Sequence, residues 1–104
     1  MKVIFHIDEL SKWAETQSNV RNLLKETLSV KIIVLVNGKA IRGYLLPEYQ
    51  EFITNHHVEF HACNNALHAA TINPEQLPSS VKVVPAGVLD LIERQSEGYA
   101  YIKP

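Results

Sequence analysis

With 104 residues, of which 46% are hydrophobic and 20% charged, the chain can form one domain, residues 1–104, with a core of its own. Its 10 basic and 11 acidic side chains leave a net charge of -1, which argues against binding to a nucleic-acid backbone. One cysteine excludes an internal disulfide, and no apolar run reaches the roughly 18 residues of a membrane span. No signal peptide precedes the folded pattern, so we expect a cytoplasmic protein in a reducing environment.

The first third of the chain predicts a strand, a long helix and a second strand. Residues 2–7 are a short apolar run, and Asp8 is suited to cap the helix that follows. Residues 30–36 are a second strand, and residues 32–36 within it are apolar on both faces, which is typical of a strand buried between two layers of helices. Between them, spacings of three and four predict a helix over about residues 10–28, with Trp13 as a packing anchor. Its apolar face consists of Leu10, Trp13, Gln17, Val20, Leu24 and Thr27 or Leu28.

The middle of the chain places its only cysteine at the junction of a strand and a helix. Asn37 and Gly38 form a turn, and residues 39–46 are expected to be a loop with one helical turn. Pro47 suits the first position of a short helix that ends near residue 54. Residues 58–63 then form a strand that ends at Cys63, and residues 64–70 form a short helix.

The last third predicts a strand, a helix and a final strand. Residues 81–84 are the fourth strand, and Pro85 opens a helix after it. We expect the apolar stripe of this helix, formed by Val88, Leu91, Ile92 and Gln95, to face the core, with Gly98 beyond the helix end. Residues 99–102 form an aromatic last strand that could lie at a sheet edge and pair with another chain.

Five strands therefore alternate with helical segments. Each connection is long enough for a parallel crossover. This alternation predicts an α/β fold with a mostly parallel five-stranded sheet and helices on both faces.

The familiar chemical motifs are absent. There is no glycine-rich dinucleotide or phosphate loop, no pair of cysteines at C-x-x-C spacing and no nucleophile elbow. The adjacent histidines at 56 and 57 lie in a turn, and His61 with Cys63 supplies only two metal ligands where zinc needs three or four. We therefore predict neither a cofactor nor a metal.

Cys63 is the remaining candidate for chemistry. In an open α/β sheet, ligands bind where strands end and helices begin, and helix N–H groups there favour a thiolate. Asn64 and Asn65 follow at once and add polar groups. The neighbouring strand ends carry His6, Asp8, Asn37 with Gly38, and the Pro85-Ala86-Gly87 turn. The alternative is that Cys63 is a small buried hydrophobic residue. His61 could polarise the thiol, or it could be a half-exposed histidine bonded to the backbone.

Four segments spread over the chain carry a resemblance to the DsrE/DsrF-like family of small sulfur-relay proteins. They are residues 34–38 (VLVNG), 60–67 (FHACNNAL), 84–88 (VPAGV) and 95–102 (QSEGYAYI). The resemblance implies a flavodoxin-like three-layer α/β/α sandwich that assembles into trimers or hexamers. The chain departs from the family pattern at Ala70-Thr71-Ile72, where relatives often place glycine before the isoleucine.

The resemblance also implies a function. Sulfur-handling members carry a persulfide on one cysteine at the end of a central strand, and Cys63 occupies that position. The predicted function is therefore sulfur relay, in which Cys63 accepts sulfur from a donor protein and passes it to a partner thiol. Two alternatives remain: an oligomeric protein that binds a small ligand in a pocket near Asn37, Cys63 and Pro85, and an unrelated thiol-dependent enzyme.

Overall fold

A single sheet of five parallel strands forms the centre of the molecule. In the computed structural model, which describes residues 1–104, the strand order is β4-β3-β2-β1-β5. All four neighbouring pairs are parallel, which confirms the predicted α/β class. The strands are β1 (Lys2–Ile7), β2 (Lys31–Val36), β3 (Val58–Cys63), β4 (Lys82–Val84) and β5 (Ala100–Ile102).

Helical segments cover the two faces of the sheet unequally. The α-helices are α1 (Trp13–Glu26), α2 (Gln50–Ile53), α3 (Asn64–Ala70) and α4 (Gly87–Ser96). Short 3-10 helices cover Leu10–Lys12, Gly38–Leu45, Pro47–Tyr49 and Pro74–Gln76. The first face of the sheet packs against α1, α2, α3 and the Gly38–Leu45 segment, whereas the second face packs against α4. The molecule is therefore a three-layer sandwich with a thick layer and a thin one.

Alternation along the buried strands supplies side chains to both layers. Val3, Phe5 and Ile7 of β1 join the large core on the first face, whereas Ile4 joins the small cluster on the second. Strand β2 divides in the same way. A strand with apolar residues on both faces is thus buried on both faces, as the continuous apolar run of residues 32–36 predicts.

Trp13 is the packing anchor of the first face, as predicted. Its side chain is fully buried, and its indole N–H donates a 2.8 Å hydrogen bond to the carbonyl of Ala40. The Gly38–Leu45 segment passes so close that a Cβ at Gly43 would lie 2.1 Å from the indole nitrogen. Only glycine fits there, and it allows an eight-residue 3-10 helix where we predicted a loop with one helical turn.

The expectations for the start and face of the first helix were partly wrong. Asp8 makes no cap, because Glu9 occupies that position and the Asp8 carboxylate lies 3.1 Å from the Lys103 ammonium instead. Leu10 and Leu28 are exposed, because they lie outside the regular helix, which buries Trp13, Thr16 and Val20. The Thr16 hydroxyl donates to the carbonyl of Lys12, so its burial leaves no donor unpaired.

The predicted inner face of the last helix was also wrong. Val88 and Ile92 are 65% and 57% exposed, so two of the three apolar residues of the predicted stripe face outward. Asp90 is buried instead, and Leu91 packs on the small cluster of the second face. A polar partner beneath the helix, His61, explains this orientation, because Asp90 reaches it across the sheet face.

The structure contains no helix that is long and apolar enough to cross a membrane.

Candidate functional site

The site lies at the carboxyl ends of β3 and β4, two neighbouring strands that are followed by helices on opposite faces of the sheet. After β3 the chain enters α3 on the first face, and after the neighbouring β4 it enters α4 on the second. Adjacent strands whose connections diverge in this way open a crevice at their carboxyl ends. Cys63, the last residue of β3, lies at this point and is 6% exposed.

The Cys63 sulfur accepts a hydrogen bond from the first residue of α4. The backbone N–H of Gly87 donates to the sulfur over 3.3 Å. Ala86, which precedes the helix, offers no side-chain cap, so this N–H would otherwise lack a partner. The thiol therefore takes the place of a capping group and faces the positive end of the helix dipole, which stabilises negative charge.

Gly87 also brings Asn37 next to Cys63. A Cβ on residue 87 would lie 3.1 Å from the amide nitrogen of Asn37 and 3.5 Å from the Cβ of Cys63. Any larger side chain would push these groups apart. The sequence singled out Pro85 in this turn, but the residue in contact with the thiol is Gly87, and only the tertiary arrangement identifies it.

Asn37 is held on its other side by His6 and Tyr101. The Asn37 side-chain oxygen lies 2.8 Å from Nε2 of His6, and Nδ1 of His6 lies 2.6 Å from the Tyr101 hydroxyl. His6 is buried on β1, whereas Tyr101 lies on the edge strand β5. Three strand ends thus contribute to one line of polar groups that leads to the cysteine.

One alternative for His61, a half-exposed histidine bonded to the backbone, is wrong. His61 is buried, and its ring nitrogens face two carboxylates, with 2.7 Å from Nδ1 to Asp90 and a shorter contact from Nε2 to Glu59. Burial lowers the pKa of His61, but the hydrogen bonds and charges of Asp90 and Glu59 outweigh this and leave the pKa raised. His61 makes no hydrogen bond to Cys63; it ties α4 to β3.

The other residues singled out in the sequence lie around the site without joining it. Gly38, with a φ of 57°, lines a groove of about 670 Å³ on the first face together with alanines of α3. Asn64 lines a second groove, and Asn65 is exposed. Pro85 lines a cleft of about 170 Å³ beside His61. None of the four main cavities is lined by Cys63 or Asn37.

Comparison with known proteins identifies the family of the chain. A family model, described as the DsrE/DsrF-like family, matches residues 3–104. The chain belongs to the DsrE/DsrF-like family. The resemblance carried by the four sequence segments is therefore confirmed.

The solved structure of a relative of similar length confirms the fold. The protein of unknown function MTH1491 from Methanobacterium thermoautotrophicum is 37% identical in sequence, with a TM-score of 0.88. The similarity covers 99% of this chain and 98% of that one. No match is found among curated proteins. The DsrE-like fold is thus shared from end to end.

Proposed function

We propose that this DsrE-like protein is a sulfur carrier that holds a persulfide on Cys63 and passes it to a partner thiol. The observation that carries the proposal is the hydrogen bond from the Gly87 N–H to the Cys63 sulfur at the point where the chain diverges. A backbone donor and a helix dipole favour an anionic sulfur, which is the form that attacks and that carries sulfur. Membership of a family named for sulfur-relay proteins supports the same reading.

The transfer needs no oxidant or reductant. The Cys63 thiolate attacks the outer sulfur of a donor persulfide, R–S–SH; the new S–S bond forms on Cys63 as the donor S–S bond breaks, and R–S⁻ leaves. In the second step an acceptor thiolate attacks the outer sulfur of Cys63–S–SH and releases the Cys63 thiolate. With a single cysteine, both donor and acceptor are other molecules. A reducing cytoplasm, the compartment that the sequence predicts, keeps Cys63 ready for this exchange.

Intact-mass measurement tests this directly. The protein is treated with glutathione persulfide, freed of the donor, and followed with time. We expect wild type to gain the mass of one sulfur atom and to release it when an acceptor thiol is added. The matched control is Cys63→Ser combined with Ser79→Cys, which places one exposed thiol away from the site.

If Cys63 gains no sulfur, or holds it no longer than the cysteine at position 79, sulfur relay is wrong. The second candidate, favoured by the 6% exposure of Cys63, is an oligomeric ligand-binding protein in which this thiol is a packing residue. It predicts slow alkylation and no persulfide. Turnover of another small substrate that depends on Cys63 would instead indicate an unrelated thiol enzyme.

We also propose that the protein works as a homo-oligomer, a trimer or a hexamer. Strands β4 and β5 are both edge strands, and the outward stripe of α4 is apolar. Proteins usually cover such edges and stripes. A second copy of the chain presents the same surfaces and is the occupant that the family resemblance implies.

A further inference from the structure

A half-buried line of hydrogen bonds runs from the sheet edge, where Tyr101 is exposed, towards Cys63. It links the Tyr101 hydroxyl to Nδ1 of His6, and Nε2 of His6 to the side-chain oxygen of Asn37. His6 stands on β1 opposite Leu35 of β2, in a position where an apolar side chain would continue the small core cluster. A histidine there calls for an explanation beyond packing.

The side-chain oxygen of Asn37 faces His6, and this placement sets the direction of the line. The Asn37 oxygen can only accept, so Nε2 of His6 carries the proton between them. In a neutral ring, Nδ1 is then the acceptor, and the Tyr101 hydroxyl donates a hydrogen bond to it. In this arrangement the oxygen of Asn37 points to His6, and its NH₂ points away.

The Asn37 NH₂ group meets the thiol side of the crevice. Its nitrogen lies 3.1 Å from the position that a Cβ on Gly87 would occupy, and the Cβ of Cys63 lies 3.5 Å from the same point. The N–H of Gly87 already donates to the Cys63 sulfur. A side-chain donor and a backbone donor therefore border the same small volume.

We infer that Asn37 donates to the outer sulfur of the Cys63 persulfide, and that His6 and Tyr101 are positioning residues that hold its amide in the donating orientation. This inference rests on the proposed function. It adds a side chain that recognises the charged form of the persulfide, Cys63–S–S⁻. Donors already in place around a developing anion need no reorganisation when the anion forms. Asn37 thus lengthens the lifetime of the persulfide between its arrival and its transfer.

The test compares how long Cys63 keeps its sulfur in wild type and in five variants. Asn37→Asp keeps the oxygen that His6 binds but replaces the NH₂ with a negatively charged acceptor. We expect the persulfide lifetime to fall at least about tenfold, because one hydrogen bond to a charged group is lost and a like charge is added beside the anion. His6→Gln retains a donor near the Nε2 position and should restore most of the lifetime that His6→Ala loses. Tyr101→Phe should shorten it a few-fold. The matched Tyr99→Phe should not, because the partly buried Tyr99 packs on the small cluster and its hydroxyl takes no part in the line.

A second measurement does not depend on sulfur at all. The ¹⁵N chemical shifts of His6 report which ring nitrogen carries the proton. We expect Nε2–H in wild type and a mixture of the two neutral forms in Tyr101→Phe. Circular dichroism and thermal unfolding of each variant show that the fold is retained.

The outcomes separate the two proposals. If wild type keeps the sulfur and Asn37→Asp keeps it equally long, the role of Asn37 is wrong and sulfur relay stands. If His6 carries its proton on Nδ1 in wild type, the positioning role is wrong whatever the persulfide does. If wild type takes up no sulfur, both proposals fail together.

Discussion

At the scale of single residues, Thr71 is the position where the backbone is under strain. It ends α3 with a φ of 56°, and no other residue except glycine has a positive φ. A branched side chain in this left-handed conformation costs roughly 1–2 kcal/mol. Glycine adopts this conformation freely.

Replacing Thr71 with glycine should therefore stabilise the protein. Part of the gain is offset by the greater freedom of glycine in the unfolded chain, so we expect an increase of about 0.5–1 kcal/mol in the free energy of unfolding. Urea unfolding at equilibrium measures it. Thr71→Ala keeps a Cβ and serves as the control; a glycine variant no more stable than the alanine variant would show that strain is not stored at this turn.

Single residues also show what the sequence can and cannot predict about the site. Cys63 was found because a strand pattern ends at it and a helix pattern begins. Asn37 was found because a turn follows a buried strand. His6 and Gly87 were expected at neighbouring strand ends, but their contacts with Tyr101 and Cys63 were not predicted, since these join residues 95 and 24 positions apart in the chain. Periodicity reports the neighbours of a residue along its own element, not across the sheet.

At the scale of elements, the orientation of α4 shows why the pattern of that helix misled. Val88, Leu91, Ile92 and Gln95 form a stripe that is typical of a core-facing helix. Asp90, however, pairs with the buried His61, and Arg94 lies 3.8 Å from the other oxygen of Asp90. A buried carboxylate needs partners, and the one that lies on the sheet is His61. The ion pair therefore decides which face is buried, and no periodicity in the sequence reveals it.

The same ion pair should make the attachment of α4 depend on pH. The folded-state pKa of His61 is raised above its ordinary value of 6.5, so protonated His61 adds stability that is complete below about 6.5 and is lost as the pH rises through the raised pKa. Compared with wild type, His61→Gln should lose about 2 kcal/mol near pH 6 and progressively less at higher pH. Unfolding free energies measured across this range give the difference.

The exposed His57 provides the matched control for that experiment. His57→Gln should change stability little at any pH, because its side chain has no carboxylate partner and is open to solvent. A difference between wild type and His61→Gln that stays constant from acid to alkaline pH would mean that His61 contributes packing and not charge. Because α4 also carries the Gly87 N–H, loss of the His61 charge at higher pH should loosen the hold of that donor on Cys63.

At the scale of the whole molecule, the two layers of helices are unequal. Four helical segments cover the first face of the sheet, and α4 alone covers the second. The thin layer also turns Val88, Leu89 and Ile92 outward, next to a sheet that ends in open edges on both sides. An apolar stripe on a helix whose inner side is held by an ion pair is an arrangement that suits an interface better than a free surface.

Association of the chain should therefore depend on this stripe. Val88 and Leu28 are each 65% exposed, but only Val88 lies on α4. We expect light scattering at micromolar concentration to give a mass above that of a monomer for wild type and for Leu28→Glu. Val88→Glu should weaken association about 10- to 100-fold, because each valine withdrawn from contact loses about 1.5–3 kcal/mol of apolar burial and leaves a charge in its place. A monomeric wild type would show that the stripe of α4 is open surface. Equal masses for the two glutamate variants would show that the interface lies elsewhere on the molecule.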